Sequence, residues 1–317
     1  MKNVILVLAL LCISTAIYAQ DSWQQIDAGI SDGIHDIEIT PNGTIFIYTY
    51  GTGKILSSND TESNWKVVAN LDSIYFEQIQ FIDDKQGWIC GEYGKIYRTR
   101  DGGDTWQDQS IRVDNGNLLL YGLLFLDDKN GMVSGAIMKD RKLVNKIYQT
   151  EDGGESWQEA DVMDVPIMVL NLEKSLTGEI WGSGGNTIIK FEKDNWQIMF
   201  YDSTRSTGQI RDLLFLNQDT ILGVSFNGKI VISVDGGTSW ASSSITPNRL
   251  RSIAEMDKRI LITAGDNNKE QGNIFISKDS GASWTGLDKD MEDIHRIAVL
   301  GSDFWLVGKN GTIIKLK

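Results

Sequence analysis

Four stretches decide the reading of this chain: TRDGGDTW at Thr99–Trp106, TEDGGESW at Thr150–Trp157, SVDGGTSW at Ser233–Trp240 and SKDSGASW at Ser277–Trp284. Each sets a hydroxyl residue, an Asp, a Gly, a Ser or Thr and a Trp at fixed offsets. A worn copy, SNDTESNW, keeps Asp60 and ends at Trp65, while Trp23 and Trp196 hold the phase alone. A unit of about 40 residues recurring along a chain means stacked or radially arranged units.

Each phrase has a mechanical meaning. Adjacent glycines permit a tight turn at positive φ. The Asp carboxylate can accept hydrogen bonds from the turn's own amides, and the hydroxyl two positions earlier can brace the same turn. The Trp is expected to plug a gap beside the next unit. Asp60, Asp101, Asp152, Asp235 and Asp279 are therefore read as structural, because an acid copied around a ring serves the scaffold and not one site.

Around the best copy the pattern alternates as strands do. Ile79 and Phe81 mark a first strand, Gly87–Gly91 a second and Lys95–Arg98 a third, with Glu92-Tyr93-Gly94 as a turn, and Trp106 opens a fourth. Four short antiparallel strands per repeat is a propeller blade. The phrase resembles the Asp-box, or BNR repeat, of sialidase-type propellers. The fuller pattern, Phe81-x-Asp83, Gly87-Trp88, Gly91, Gly94, Ile96-Tyr97-x-Thr99-x-Asp101-Gly102-Gly103-x-Thr105-Trp106, more closely resembles the photosystem II assembly and stability factor family. That resemblance implies a seven-bladed propeller that binds nascent membrane-protein partners and has no known enzymatic activity; a protein or peptide partner is expected here.

The tryptophans count the blades. Blades one to six end at Trp65, Trp106, Trp157, Trp196, Trp240 and Trp284. The remainder supplies three strands, Ile294–Val299, Phe304–Gly308 and Thr312–Leu316, and the missing fourth is Trp23–Ile26 at the other end. The expected fold is all-β: a seven-bladed β-propeller of four-stranded antiparallel blades, closed by the N-terminal strand so that no seam stays open. Blade four has Phe191 where the Asp belongs. Blade three carries a longer hairpin, Ala136–Lys146, with Lys139, Asp140, Arg141, Lys142 and Lys146, a second candidate binding element. Blade six is lengthened at Asp266–Gly272.

Residues 1–19 read as a signal peptide, with Lys2, an apolar core Val4–Leu11 and the small Ala19 before the cut, leaving one domain over 20–317. The protein is expected to be exported by a bacterium to the periplasm or beyond. Leu11 before Cys12 argues against a lipid anchor, and no stretch suits a membrane span. Beyond the leader Cys90 is the one cysteine, so no internal disulfide can form. With only His35 and His295 to help, no metal site and no cofactor are expected. Losing Lys2 takes 30 basic residues to 29 against 43 acidic, a net of about −14, which disfavours nucleic acid and anionic membrane. A monomer is expected.

A glycoside hydrolase of sialidase type, or a carbohydrate-binding propeller, is the alternative that Asp-boxes invite. Sialidase chemistry needs an arginine triad, a Tyr–Glu pair and an acid. The three prolines follow Thr40, Val165 and Thr246, so the Arg-Ile-Pro motif is absent. Serine-hydrolase and phosphate-loop signatures are absent too. The candidate binding site lies where the first strands enter the ring. Two positions before the anchor residue of each first strand stand His35, Glu77, Tyr121, Met168, Arg211, Arg251 and His295. Ring closure makes His295 and His35 neighbours, so Arg211, Arg251, His295 and His35 form a cation-capable arc with Glu77 and Tyr121 beyond it. Such an arc suits a carboxylate or an acidic segment. The competing possibility is that Asp212 or Glu255 already satisfies these arginines.

Overall fold

The computed structural model describes residues 22–59, 64–113, 117–139, 142–160, 168–193, 195–265, 272–287 and 291–317. Residues 1–19, read above as a signal peptide, Asp60, Asp140, Arg141 and most of the blade-six extension lie outside them.

Seven four-stranded antiparallel sheets follow one another as blades. Their innermost strands are Ile34–Ile39, Phe76–Phe81, Leu118–Phe125, Asn171–Lys174, Ile210–Phe215, Arg249–Met256 and Ile294–Leu300. Blade seven is completed from the N-terminus: Trp23–Ile26 pairs antiparallel with Ile313–Leu316, Trp23 opposite Leu316 and Ile26 opposite Ile313. Trp23–Ile26 thus covers the edge that Ile313–Leu316 would otherwise leave bare and is itself the outermost strand of the last sheet.

The core is divided into wedges. Second strands are buried on both faces over most of their length, so they read as apolar runs such as Ile45–Thr49 and Ile221–Ser225. Among the described residues each blade-to-blade interface has one apolar cluster. Phe46 and Tyr48 of blade one meet Phe76 and Phe81 of blade two, and Ile26 and Trp305 of blade seven meet Ile34 and Ile47 of blade one.

The repeated phrases fold as their residues require. Thr99 Oγ1 accepts the Gly103 amide at 2.8 Å, and Asp101 accepts the Thr105 amide at 2.8 Å and its hydroxyl at 2.6 Å. Gly102 and Gly103 sit at φ 75° and 90°. The same bonds recur around Asp152, Asp235 and Asp279. One expectation is corrected: the turn clamps onto the preceding blade, not the next. A Cβ on Gly103 would lie 2.9 Å from the Phe46 ring of blade one, and Trp106 stands edge-on to Phe81 in the same wedge. Likewise the Gly153 carbonyl accepts Trp88 Nε1 and Arg98 Nη1 of blade two, at 3.1 and 2.9 Å. In blade four Phe191 packs on Trp196 at 5.1 Å, so an aromatic pair replaces the acid-braced turn.

Candidate functional site

Every innermost strand described above, except that of blade four, carries a register shift at the same place. The shift skips His35, Glu77, Tyr121, Arg211, Arg251 and His295 in turn. A bulged residue has no ladder partner and its side chain is re-aimed, which is why bulges gather beside sites. Here all six side chains are turned into one cavity of about 360 Å³ at the mouth of the central channel. Met168 is not among them. Leu172 pairs with Gly182 as Ile79 pairs with Ile89, so the blade-four counterpart is Leu170, which lines the cavity.

A second tier comes from the residues that follow the second strands. Tyr50, Phe226 and Lys309 also line the mouth. Each is held by the same tie, its amide donating to the carbonyl just before its blade's first strand: Gly33, Gln209 and Asp293, at 2.7, 2.9 and 3.0 Å. Sequence reasoning missed this tier, although its regular place after strand two was a usable signal.

The arginines differ in state. Arg251 is tied to Asp293 by two bonds, Nε to Oδ1 at 3.0 Å and Nη2 to Oδ2 at 2.7 Å. Its partner is thus Asp293 and neither Asp212 nor Glu255. Arg211 makes no hydrogen bond or ion pair with a described residue. Its guanidinium lies 5.2 Å over the Phe226 ring, a ring that Arg249 and Arg251 also approach, at 5.1 and 5.8 Å. Burial pulls the Arg211 value down and Glu77 opposes that, yet the group stays charged at neutral pH.

The histidines do not add charge. His295 Nδ1 donates to the Ile34 carbonyl at 2.9 Å, fixing the blade-seven to blade-one seam. His35 Nδ1 bonds the Tyr48 hydroxyl at 2.9 Å, and its ring stacks on Tyr50 at 5.4 Å. Burial, then the other histidine and Arg211, push His35 well below the usual imidazole range; burial and then Arg251 lower His295. The neutral rings make the arc an arginine site with aromatic walls. Burial lifts Glu77 to about 7, against the pull of Arg211.

Arg296, also missed, closes the floor. It follows His295 directly, and the sequence marked it only by strand alternation. Its Nε lies 3.2 Å from Asp36 and its Nη1 3.5 Å from Asp212. Burial opposes its charge, but Asp36 and then Asp212 outweigh that and hold it firmly protonated. The carboxylates are stitched in turn: Asp36 accepts the Ile79 amide of blade two at 3.3 Å, and Asp212 the Ile253 amide of blade six at 3.1 Å. No cluster of metal-ligating side chains occurs among the described residues. Cys90 is buried, and burial pushes its thiol value up.

Fold and mouth define a class: an Asp-box β-propeller whose channel opens through an arginine-bearing, aromatic-walled mouth. Within that class the chain resembles the photosystem II assembly factors. The family model described as "Photosynthesis system II assembly factor YCF48" matches residues 13–140. The photosystem II assembly lipoprotein Ycf48 of Synechococcus sp. is 24% identical over 96% of this chain and 91% of its own length. A solved structure titled "YCF48 bound to D1 peptide" superposes with a TM-score of 0.70 at 19% identity, covering 92% of this chain and 94% of the other. Virginiamycin B lyase from Staphylococcus aureus superposes at 0.75 with 15% identity, over 94% and 99%. At such identities the two superpositions speak for the fold alone.

Proposed function

We propose that this chain is an exported, non-catalytic binding factor that takes a carboxylate-bearing segment of a protein partner into the channel mouth. One observation carries the reading: Arg211 is a half-buried, charged guanidinium set against Phe226, and no carboxylate of a described residue hydrogen-bonds or ion-pairs with it. Such a group is matched by a carboxylate presented from outside, in bidentate contact. The sequence relatives are named for assembly and not for an enzymatic activity, and one structural neighbour carries a peptide, in keeping with this use of the fold. Export is in keeping with relatives named as lipoproteins, and a periplasmic or extracellular address belongs to the proposal.

The test is a pull-down from an envelope fraction with wild-type protein and Arg211→Ala. Arg251 is left intact, since its removal would strand buried Asp293. The reading expects recovery of a partner by the wild type and a loss of at least about tenfold in the folded variant. Undiminished recovery by Arg211→Ala would sink it. A glycoside panel is run beside it: turnover abolished by changing one surface acid would favour the hydrolase instead.

A further inference from the structure

Blade three departs from its neighbours in one respect. Its second and third strands, Gly131–Lys139 and Lys142–Thr150, have 9 residues each, where those of blade two have 5 and 4. The fourth strand pairs only with Tyr148 and Gln149, so the end of the hairpin stands clear of its own blade. In its register Met138 faces Leu143 and Lys139 faces Lys142. Met138 is 49% exposed, Leu143 50% and Val144 38%. Grouped exposed apolar side chains flanked by charge mark an interaction surface.

Beside the hairpin runs a groove of about 740 Å³, lined among others by Lys142, Leu143, Val144, Met168, Arg205 and Gln209. Met168 and Gln209 each stand two residues upstream of a mouth residue, Leu170 and Arg211. The groove therefore adjoins the mouth along two neighbouring blades. Its charge is opposite to that of the molecule: Lys142 and Arg205 in its lining are exposed and their side chains ion-pair with no described residue, on a chain with 43 acidic and 30 basic residues.

We propose that this groove is the outer half of the binding site, and that the partner is an extended polypeptide segment of mixed acidic and apolar character. One acidic residue enters the mouth at Arg211. The residues beyond it lie along the groove, apolar side chains on Met168, Leu143 and Val144, acidic ones toward Lys142 and Arg205. This rests on the mouth reading above and adds to it the path and the composition of the segment.

The probe is a phage-displayed library of random short peptides selected on the full mature chain. The expected consensus is an acidic residue followed by alternating apolar and acidic ones. The best peptide is then titrated against folded variants, in full and cut back to its mouth-binding acid. Lys142→Glu with Arg205→Glu, and separately Leu143→Ser, weaken the full peptide by about tenfold and leave the short one unchanged, whereas Arg211→Ala weakens both. If the hairpin variants bind the full peptide as the wild type does while Arg211→Ala fails, the groove is overturned and the mouth stands. If Arg211→Ala binds both peptides normally, the mouth reading falls and the continuous site with it. Selection of no peptide, or of one without acidic and apolar residues together, also overturns the groove.

Discussion

At the scale of single residues, the repeated phrase divides its labour between a buried hydroxyl and an exposed acid. Thr99 is fully buried and its Oγ1 is the acceptor for the Gly103 amide, at 2.8 Å inside the wedge between blades. Asp101 lies at the surface, where water can replace what it gives. Thr99→Val keeps the shape and removes the acceptor, leaving a buried amide unsatisfied, and should cost about 1–3 kcal/mol. Asp101→Asn keeps an amide oxygen facing Thr105 and should cost less. Urea midpoints decide it: if the Asn variant loses more stability than the Val variant, the division is wrong. The reason the Asp-boxes could be recognised in sequence is that each is local, made within eight residues. Arg251 and Asp293 stand 42 positions apart, and no local pattern pairs them.

At the scale of elements, the N-terminal strand is the piece on which closure depends. Ile26 is 3% exposed and belongs to the wedge between blades seven and one, and Trp23 packs in the wedge between six and seven. Ile26→Ala should destabilise by about 2–4 kcal/mol, and deletion of 22–26 by much more, since it also bares the edge of Ile313–Leu316. A deletion that unfolds at the wild-type midpoint would show that the strand is not a closing element. The strand was legible because tryptophan phase and strand number are sequence properties that add up around a ring. Blade four was misread by two residues for a related reason: without its acid and glycines, Phe191 and Trp196 gave the alignment nothing to fix the spacing. The bulges were invisible as such, yet the six residues they expose all fell on one aligned position, because a bulge repeated in six of the seven blades keeps its place in the repeat.

At the scale of the whole molecule, the channel is a column of ionisable groups held away from water, and this sets how stability follows pH. Burial lifts Glu38 to about 8 and Glu173 to about 8, against the pull of the Phe81 amide on the first and of Arg296 on both. In the unfolded chain a Glu titrates near about 4.3. Between those values the folded state holds protons that the unfolded state has lost, so stability falls as pH rises. The lowered histidines act oppositely: below about 6.5 the unfolded chain takes up their protons and the folded one does not, so stability falls as pH falls. The two slopes overlap in acid, and above about 6.5 the raised carboxyls act with no opposition from the histidines. The protein is therefore expected to lose stability steadily from about pH 6.5 to pH 8.5, with Glu38→Gln plus Glu173→Gln flattening that fall and gaining most at its alkaline end. Urea midpoints at the two pH values test it. A wild-type midpoint that is level or rises over this range, or a double variant with an unchanged slope, would mean that the channel carboxyls are ionised and paired at neutral pH, with Arg296 and the inter-blade amides sufficing for all of them.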